Sequence, residues 1–228
     1  MGVVETIALT MGVSWASGIN LYAALLTLGL LGATDSIVLP EGLEILANPA
    51  IIAAAGFMYF VEFFADKTPG LDTAWDGLHS FIRIPAGAVL AAGAVGDVSP
   101  VAELLAIILG GSLAATAHAT KASARLLINA SPEPFSNWTA SVAEDVAVVG
   151  GLWTALYHPE LFLALLLIFL LLVIWLLPKI WRGIRTVFAA LRRRLGGPDA
   201  TSGPQPAAPQ DARFRLSLGQ GALPPRPE

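Results

Sequence analysis

Residues Leu161–Leu177 form a continuous apolar block without a single charged residue. A membrane span needs about 20 mostly apolar residues to cross about 30 Å of hydrocarbon. Only helices or a closed barrel satisfy every backbone polar group inside lipid. The apolar residues here are continuous rather than alternating, which favours helices. Only 13% of the residues are charged, against about 25% in soluble domains. The sequence therefore predicts an all-α membrane protein.

The apolar segments predict a polytopic helical bundle over residues 1–178. The third and fifth segments are rich in Gly and Ala, and Pro85 or the pair Glu144 and Asp145 interrupts them. Interrupted spans are stable where protein rather than lipid surrounds them. We therefore predict six spans, at Ile7–Leu31, Pro49–Ala65, Gly77–Val95, Val101–Asn129, Ser141–Tyr157 and Leu161–Leu177.

The 13 Lys and Arg residues predict the orientation of these spans. Basic residues concentrate in cytoplasmic loops. None occurs in the first 66 residues or in the loops 32–48, 96–100 and 157–160. Six spans with the amino terminus inside bring every basic residue to a cytoplasmic end. We therefore expect a multi-pass protein of the bacterial inner membrane with both termini in the cytoplasm.

The residues after the last span form two further segments. Residues 179–195 are predicted to be a basic amphipathic helix, whose apolar side carries Trp181, Ile184, Phe188 and Leu191 and whose arginines contact lipid phosphates. The remaining residues, 196–228, are rich in Pro, Gly, Ala and Gln. This composition predicts a disordered tail.

A shift of 63 residues places Glu62–Leu90 on Arg125–Trp153. It aligns Pro69 with Pro132, Trp75 with Trp138, and Gly87 with Gly150. Each copy is a span, a cytoplasmic turn and another span. We interpret this as a parallel internal repeat of helical hairpins, about residues 48–97 and 111–158.

Polar residues recur at helical spacing in two of these spans. Tyr59, Glu62 and Asp66 share one face of the second span. His118, Lys121, Arg125 and Asn129 share one face of the fourth span. The repeat makes Glu62 and Arg125 equivalent, which predicts a salt bridge between them. Two interpretations are open: buried ion pairs that fix helix register, or a cytoplasm-facing polar cavity for a substrate, ion or proton. The candidate substrate-binding or ion-coupling residues are Asn20, Tyr59, Glu62, Asp66, Lys67, His118, Lys121, Arg125, Asn129, Glu144 and Asp145.

No pattern indicates a cofactor, a metal site or a nucleic-acid partner. Asp66, Asp72, Asp76 and His79 have the ligand types of a divalent cation. Their spacing matches no known motif, so we expect a solvated acidic loop there. No nucleophile–base pair stands out, and an enzyme is not expected.

Four segments resemble a known family: Ala16–Tyr22, Glu62–Asp76 (EFFADKTPGLDTAWD), Arg83–Ala88 (RIPAGA) and His118–Glu144 (HATKASARLLINASPEPFSNWTASVAE). They are similar to a bacterial integral-membrane family catalogued as domain of unknown function forty-one twenty-six. The resemblance covers roughly residues 1–178. It implies a multi-span inner-membrane protein and no activity.

The leading functional hypothesis is a small transporter, channel or lipid-handling carrier with its site between the two hairpins. Its partners would be the lipid bilayer and a small molecule, ion or lipid. The alternative is a non-transporting assembly or regulatory protein whose buried charges are structural. Self-association into a homo-oligomer is left open.

Overall fold

The computed structural model describes residues 2–68, 71–96, 98–129 and 134–195, and all of its regular structure is helical. The predicted all-α fold is thereby confirmed. Each predicted span lies within one α-helix. The helices are α1 (Val3–Ala33), a 3-10 helix (Glu41–Ala47), α2 (Pro49–Ala65), α3 (Leu71–Val95), α4 (Pro100–Asn129), α5 (Pro134–Tyr157) and α6 (Pro159–Leu195).

Four described helical segments have the length and apolar composition to cross a membrane: Val3–Ala33, Ala74–Val95, Pro100–Asn129 and Pro159–Gly183. A fifth results if the 3-10 helix and α2, which meet at 70°, are counted as one broken span. These helices are compatible with an integral membrane protein. Helix α5, predicted as the fifth span, is not among them. Its Glu144, Asp145 and amino-terminal polar residues reduce its apolar character.

Helix α1 is the central element of the bundle. It contacts α2, α3, α4 and α5, whereas α3 packs most extensively along α4. Small residues permit this close packing. A Cβ atom at Gly18 would lie 2.3 Å from the carbonyl oxygen of Ala114, and one at Gly110 would lie 2.4 Å from the Cβ of Ala91. Helix α6 reaches the bundle through larger side chains, since Phe162 meets the ring of Trp15 edge-on.

The break in α1 occurs at Asn20. Its backbone dihedrals (φ −145°, ψ 98°) are extended, whereas the residues on both sides are helical. The Asn20 side chain accepts a hydrogen bond of 2.9 Å from the amide of Ala23. It therefore acts as the N-terminal cap of the second half of the helix. The first predicted span therefore contains a break in its backbone.

The bundle exposes many apolar side chains and buries several charged ones beside its apolar core. On α5 an exposed stripe recurs every three or four residues and contains Val142, Val146, Val149, Trp153 and Tyr157. Charged side chains, by contrast, lie inside the bundle: those of Glu62 and Arg83 have no exposed area. A water-soluble bundle buries its apolar face. This reversal is the arrangement that a lipid environment favours.

A 3-10 helix that the sequence did not predict lies in the loop 32–48. Leu43 and Leu46 of this helix are buried, and a Cβ at Gly42 would lie 2.7 Å from the Cα of Gly93 on α3. Asn48 then caps α2 by accepting a hydrogen bond from the amide of Ala50. The loop is therefore a packed part of the bundle.

The predicted basic segment 179–195 is helical, but it is continuous with α6 through Pro178 rather than a separate helix. Residues 185–195 belong to a second compact unit, distinct from the unit that ends at Ile184. The predicted disordered tail, 196–228, lies outside the described residues.

The packing of the two proposed hairpins is not equivalent. A Cβ at Gly87 would lie 2.5 Å from the Cβ of Ala114, whereas nothing lies within 4 Å of a Cβ at the aligned Gly150. Within each hairpin, the two helices have few contacts with each other. The aligned Pro69 and Pro132 lie outside the described residues. The internal repeat stays a prediction from sequence.

Candidate functional site

Among the described residues, seven charged side chains from four helices or their ends meet inside the bundle, and we call them the charge cluster. Helix α2 and the residue after it contribute two of them, α3 two, α4 two and α5 one. Six are almost completely buried, and only the Glu144 side chain retains appreciable exposure, at 18%. The members are Glu62, Asp66, Asp76, Arg83, Lys121, Arg125 and Glu144.

The ammonium of Lys121 lies at the centre of the charge cluster. Its nitrogen is 3.0 Å from Asp66, 3.4 Å from Glu144, and 3.5 Å from both Glu62 and Asp76. A fifth oxygen, the carbonyl of Ile19, accepts a hydrogen bond from it at 3.1 Å. Lys121 is therefore surrounded by four carboxylates and one backbone dipole.

The guanidinium of Arg83 joins two carboxylates. It donates at 2.5 Å to Glu62 and at 2.8 Å to Asp76, and neither Arg83 nor Glu62 has exposed side-chain area. Separating charges buried to this extent leaves each one unsolvated, at a cost of about 3–5 kcal/mol. This pair therefore holds α2 and α3 together.

The guanidinium of Arg125 connects α4 with α5. It makes a forked contact with Glu144, through Nε at 3.1 Å and Nη2 at 2.8 Å. It also donates to the carbonyl of Asp66 at 3.0 Å and lies 3.5 Å from the Asp66 carboxylate. Such bidentate pairs are geometrically specific, so Arg125 sets the position of α5 against the end of α2.

Asp145 lies at the break in α1. One of its carboxylate oxygens accepts a hydrogen bond of 3.0 Å from the side-chain amide of Asn20. The other accepts one of 3.0 Å from the hydroxyl of Tyr59. A carboxylate near the amino-terminal end of a helical segment also interacts favourably with the helix dipole. Asp145 therefore links α5 to both α1 and α2.

The family model described as "Domain of unknown function (DUF4126)" matches residues 7–179. The chain belongs to this family. The matched residues contain every member of the charge cluster as well as Asn20, Tyr59 and Asp145. No curated protein and no solved structure matches the chain.

In this DUF4126 chain, His118 and His79 extend the polar network. His118 Nε2 lies 2.5 Å from the hydroxyl of Ser80, and its Nδ1 lies 3.4 Å from Arg83. His79 Nδ1 lies 3.0 Å from the carbonyl of Trp75, which can only accept, so Nδ1 carries the hydrogen. In a neutral ring Nε2 then accepts from the hydroxyl of Tyr22 at 3.2 Å. His118 was predicted as a candidate site residue, whereas His79 was expected in a solvated acidic loop.

Lys67 and Asn129 lie beside the charge cluster. The ammonium of Lys67 donates to the carbonyl of Phe63 at 3.1 Å and to Ser141 at 3.3 Å. It also lies 2.8 Å from the ring centroid of Phe63. Burial lowers the pKa of Lys67, which nearby Asp145 and Asp66 partly counteract. Asn129 accepts a hydrogen bond of 2.8 Å from Asn137.

The predicted salt bridge between Glu62 and Arg125 is wrong. Glu62 pairs with Arg83 and Lys121, whereas Arg125 pairs with Asp66 and Glu144. Arg83 on α3 takes the position beside Glu62. Arg125 on α4 instead lies beside Asp66, one helical turn further along the chain than Glu62.

The predicted solvated acidic loop is also wrong for three of its four residues. Asp66, Asp76 and His79 are buried, and the Asp72 side chain lies outside the described residues. Helix α3 begins at Leu71 rather than at the predicted Gly77. Asp76, His79 and Arg83 therefore have the spacing i, i+3 and i+7, the signal that identified the other two polar stripes.

Proposed function

We propose that this protein is a multi-pass integral membrane protein that moves a small solute, ion or lipid, and that the charge cluster is its site. The observation that carries the proposal is the break of α1 at Asn20 beside the charge cluster. Transporters place broken helices at their binding sites because the break exposes backbone dipoles to the cargo. Here the buried carbonyl of Ile19, just before the break, accepts a hydrogen bond from Lys121.

The proposal includes six spans with both termini in the cytoplasm of a bacterial inner membrane. Helix α5 has 24 residues, about 36 Å at 1.5 Å per residue, which exceeds the hydrocarbon thickness of about 30 Å. Its exposed apolar stripe supports contact with lipid, and its Glu144 and Asp145 point to other helices rather than to lipid. An ancestral parallel repeat remains part of this proposal.

The test is transport in proteoliposomes. Vesicles are assayed in parallel for tracer uptake of Na⁺, Rb⁺ and chloride, for proton flux with a trapped pH-sensitive dye, and for transfer of a fluorescent phospholipid between leaflets. We expect one activity above that of protein-free vesicles, and its loss in Glu62→Gln. Glu103→Gln is the matched control, because Glu103 lies exposed in the first turn of α4. Equal activity in Glu62→Gln and the native protein would refute the proposal.

A second function, a non-transporting assembly or regulatory protein, is favoured by one observation. Each of the three cations of the charge cluster lies within 4 Å of at least two carboxylates. Such pairing holds helices in register without any cargo. This function predicts that the native protein shows none of the fluxes above.

A further inference from the structure

Within the described part of the chain, three carboxylates of the charge cluster each have one oxygen without a hydrogen-bond partner. These oxygens are Oε2 of Glu62, Oδ1 of Asp66 and Oδ2 of Asp76. Their residues are 2% exposed or less. Burying an ionised oxygen without a partner costs free energy that neutralising the group avoids. When all its carboxylates are ionised, the charge cluster therefore lacks hydrogen-bond donors for three of its oxygens.

The charge balance of the cluster also indicates that a positive charge is lacking when every member is ionised. It contains four carboxylates, Glu62, Asp66, Asp76 and Glu144, and three cations, Arg83, Lys121 and Arg125. Fully ionised, the cluster carries one formal negative charge. Including Asp145 and Lys67 leaves that excess unchanged, because they add one charge of each sign. A buried net charge favours uptake of one positive charge.

A proton fits this requirement better than a metal ion. Among the described side chains, no group of three from His, Asp and Glu is arranged to hold a metal. The inner oxygens of the carboxylates instead converge on the ammonium of Lys121. A metal would have to displace Lys121, whereas a proton needs only one free oxygen.

Glu62 is the carboxylate best placed to carry the proton. It lies one helical turn deeper in α2 than Asp66, which caps the end of that helix. Both of its cations are shared, Arg83 with Asp76 and Lys121 with three other carboxylates. We infer that the charge cluster binds one exchangeable proton on Oε2 of Glu62, and that this proton is the coupling ion of the transport proposed above. This role rests on the proposed function.

Charged and titratable groups face Glu62 from each helix packed around it. Arg83 and Asp76 come from α3, Lys121 from α4, and Asp66 from the end of α2. Tyr22 of α1 and Tyr59 of α2 also interact with it electrostatically. Three further groups contact residues that face Glu62. His118 lies beside Arg83, Arg125 beside Asp66, and Glu144 beside Lys121.

Infrared spectroscopy of the purified full chain in detergent tests the proton directly. Exposed Asp and Glu, with pKa values of about 4, are ionised above about pH 6. We expect a carboxylic C=O stretching band above that pH, equivalent to one protonated carboxyl per chain, which disappears on further alkalisation. Glutamate labelled with ¹³C in its side-chain carboxyl shifts the band, and labelled aspartate does not. No substitution is needed, so a failure of variants to fold cannot obscure the result.

Two variants assign the band. Glu62→Gln loses it, and the exposed control Glu103→Gln retains it. Absence of the band in the native protein, a shift with labelled aspartate, or its persistence in folded Glu62→Gln overturns the inference. The measurement needs no gradient and no flux. If the titratable band is present but no flux is measured, only the proposed transport is contradicted. If flux is measured but the band is absent, only the proton on Glu62 is contradicted.

Discussion

The carbonyl oxygen of Ile19 accepts a hydrogen bond of 3.1 Å from the ammonium of Lys121. This contact joins the break in α1 to the centre of the charge cluster on α4. Asn20 directly after it supplies the extended backbone that ends the first half of the helix. Backbone geometry and buried charge are therefore one structural unit, and a change at either affects the other.

Glu62 and Arg83 should show strong energetic coupling. At a pH where Glu62 is ionised, either Glu62→Gln or Arg83→Gln removes the nearest partner of a buried charge, at a cost of up to about 3–5 kcal/mol. The double variant should lose clearly less than the sum of the two. Reversible unfolding in mixed detergent micelles measures the three free energies. The same cycle with Arg125→Gln is the control, and a larger coupling there would contradict the observed pairing.

Asn20→Ala should destabilise the protein and loosen α5. It removes the cap on Ala23 and one of the two hydrogen bonds to Asp145, a loss of about 1–3 kcal/mol. Asn20→Asp retains a capping oxygen but places a carboxylate beside Asp145, so it should cost at least as much at neutral pH. Thermal unfolding in detergent compares both with the native protein. An Asn20→Asp variant as stable as the native protein would argue against this contact.

Gly18→Ala should be destabilising because α1 and α4 cross there. The added methyl group would lie 2.3 Å from the Ala114 carbonyl oxygen and 2.7 Å from the Ala117 Cβ. Overpacking of this kind costs about 1–3 kcal/mol. Gly150→Ala is the matched control, since it adds the same group to a helix where nothing lies within 4 Å. Equal unfolding temperatures for the two variants would be inconsistent with the close crossing.

Lys67 should make stability depend on pH in the alkaline range. Its pKa in the folded protein is below the ordinary value of 10.5 because of burial. The unfolded chain therefore binds more protons there, and stability rises with pH between the folded pKa and 10.5. Lys67→Met retains the packing on Phe63 without the charge and should lack this rise. The measurement is the difference in unfolding temperature between native protein and variant from pH 8 to 10.5, and a constant difference would be the contrary result.

The orientation can be tested by labelling single cysteines, because the chain contains none. Val38→Cys and Phe135→Cys introduce thiols at positions where the native side chains are 85% and 81% exposed. In intact cells, a membrane-impermeant maleimide should label position 38 and not position 135, which should react only after lysis. Labelling of position 135 and not of position 38 in intact cells would show that the topology is the inverse of the predicted one.

The positions of the helices follow from one-dimensional patterns. The apolar blocks predicted all six α-helices, and the bounds Pro49–Ala65 agree with α2 at both ends. The spacing of His118, Lys121 and Arg125 correctly predicted a shared buried face. Asn20, one of the predicted candidate residues, is buried, because an apolar environment leaves its amide only protein partners.

The pairing of the charges followed only from the tertiary structure. Periodicity places Glu62 and Arg125 on inward faces but contains no information on the axial offset between two helices. The packing of the helices sets that offset, and it brings Arg83 to Glu62 and Arg125 to Asp66. Asp76 was missed because the start of α3 was predicted six residues too late. The sequence by itself determined where the helices lie, since that depends on local composition, and helix packing decided which of the buried charges meet.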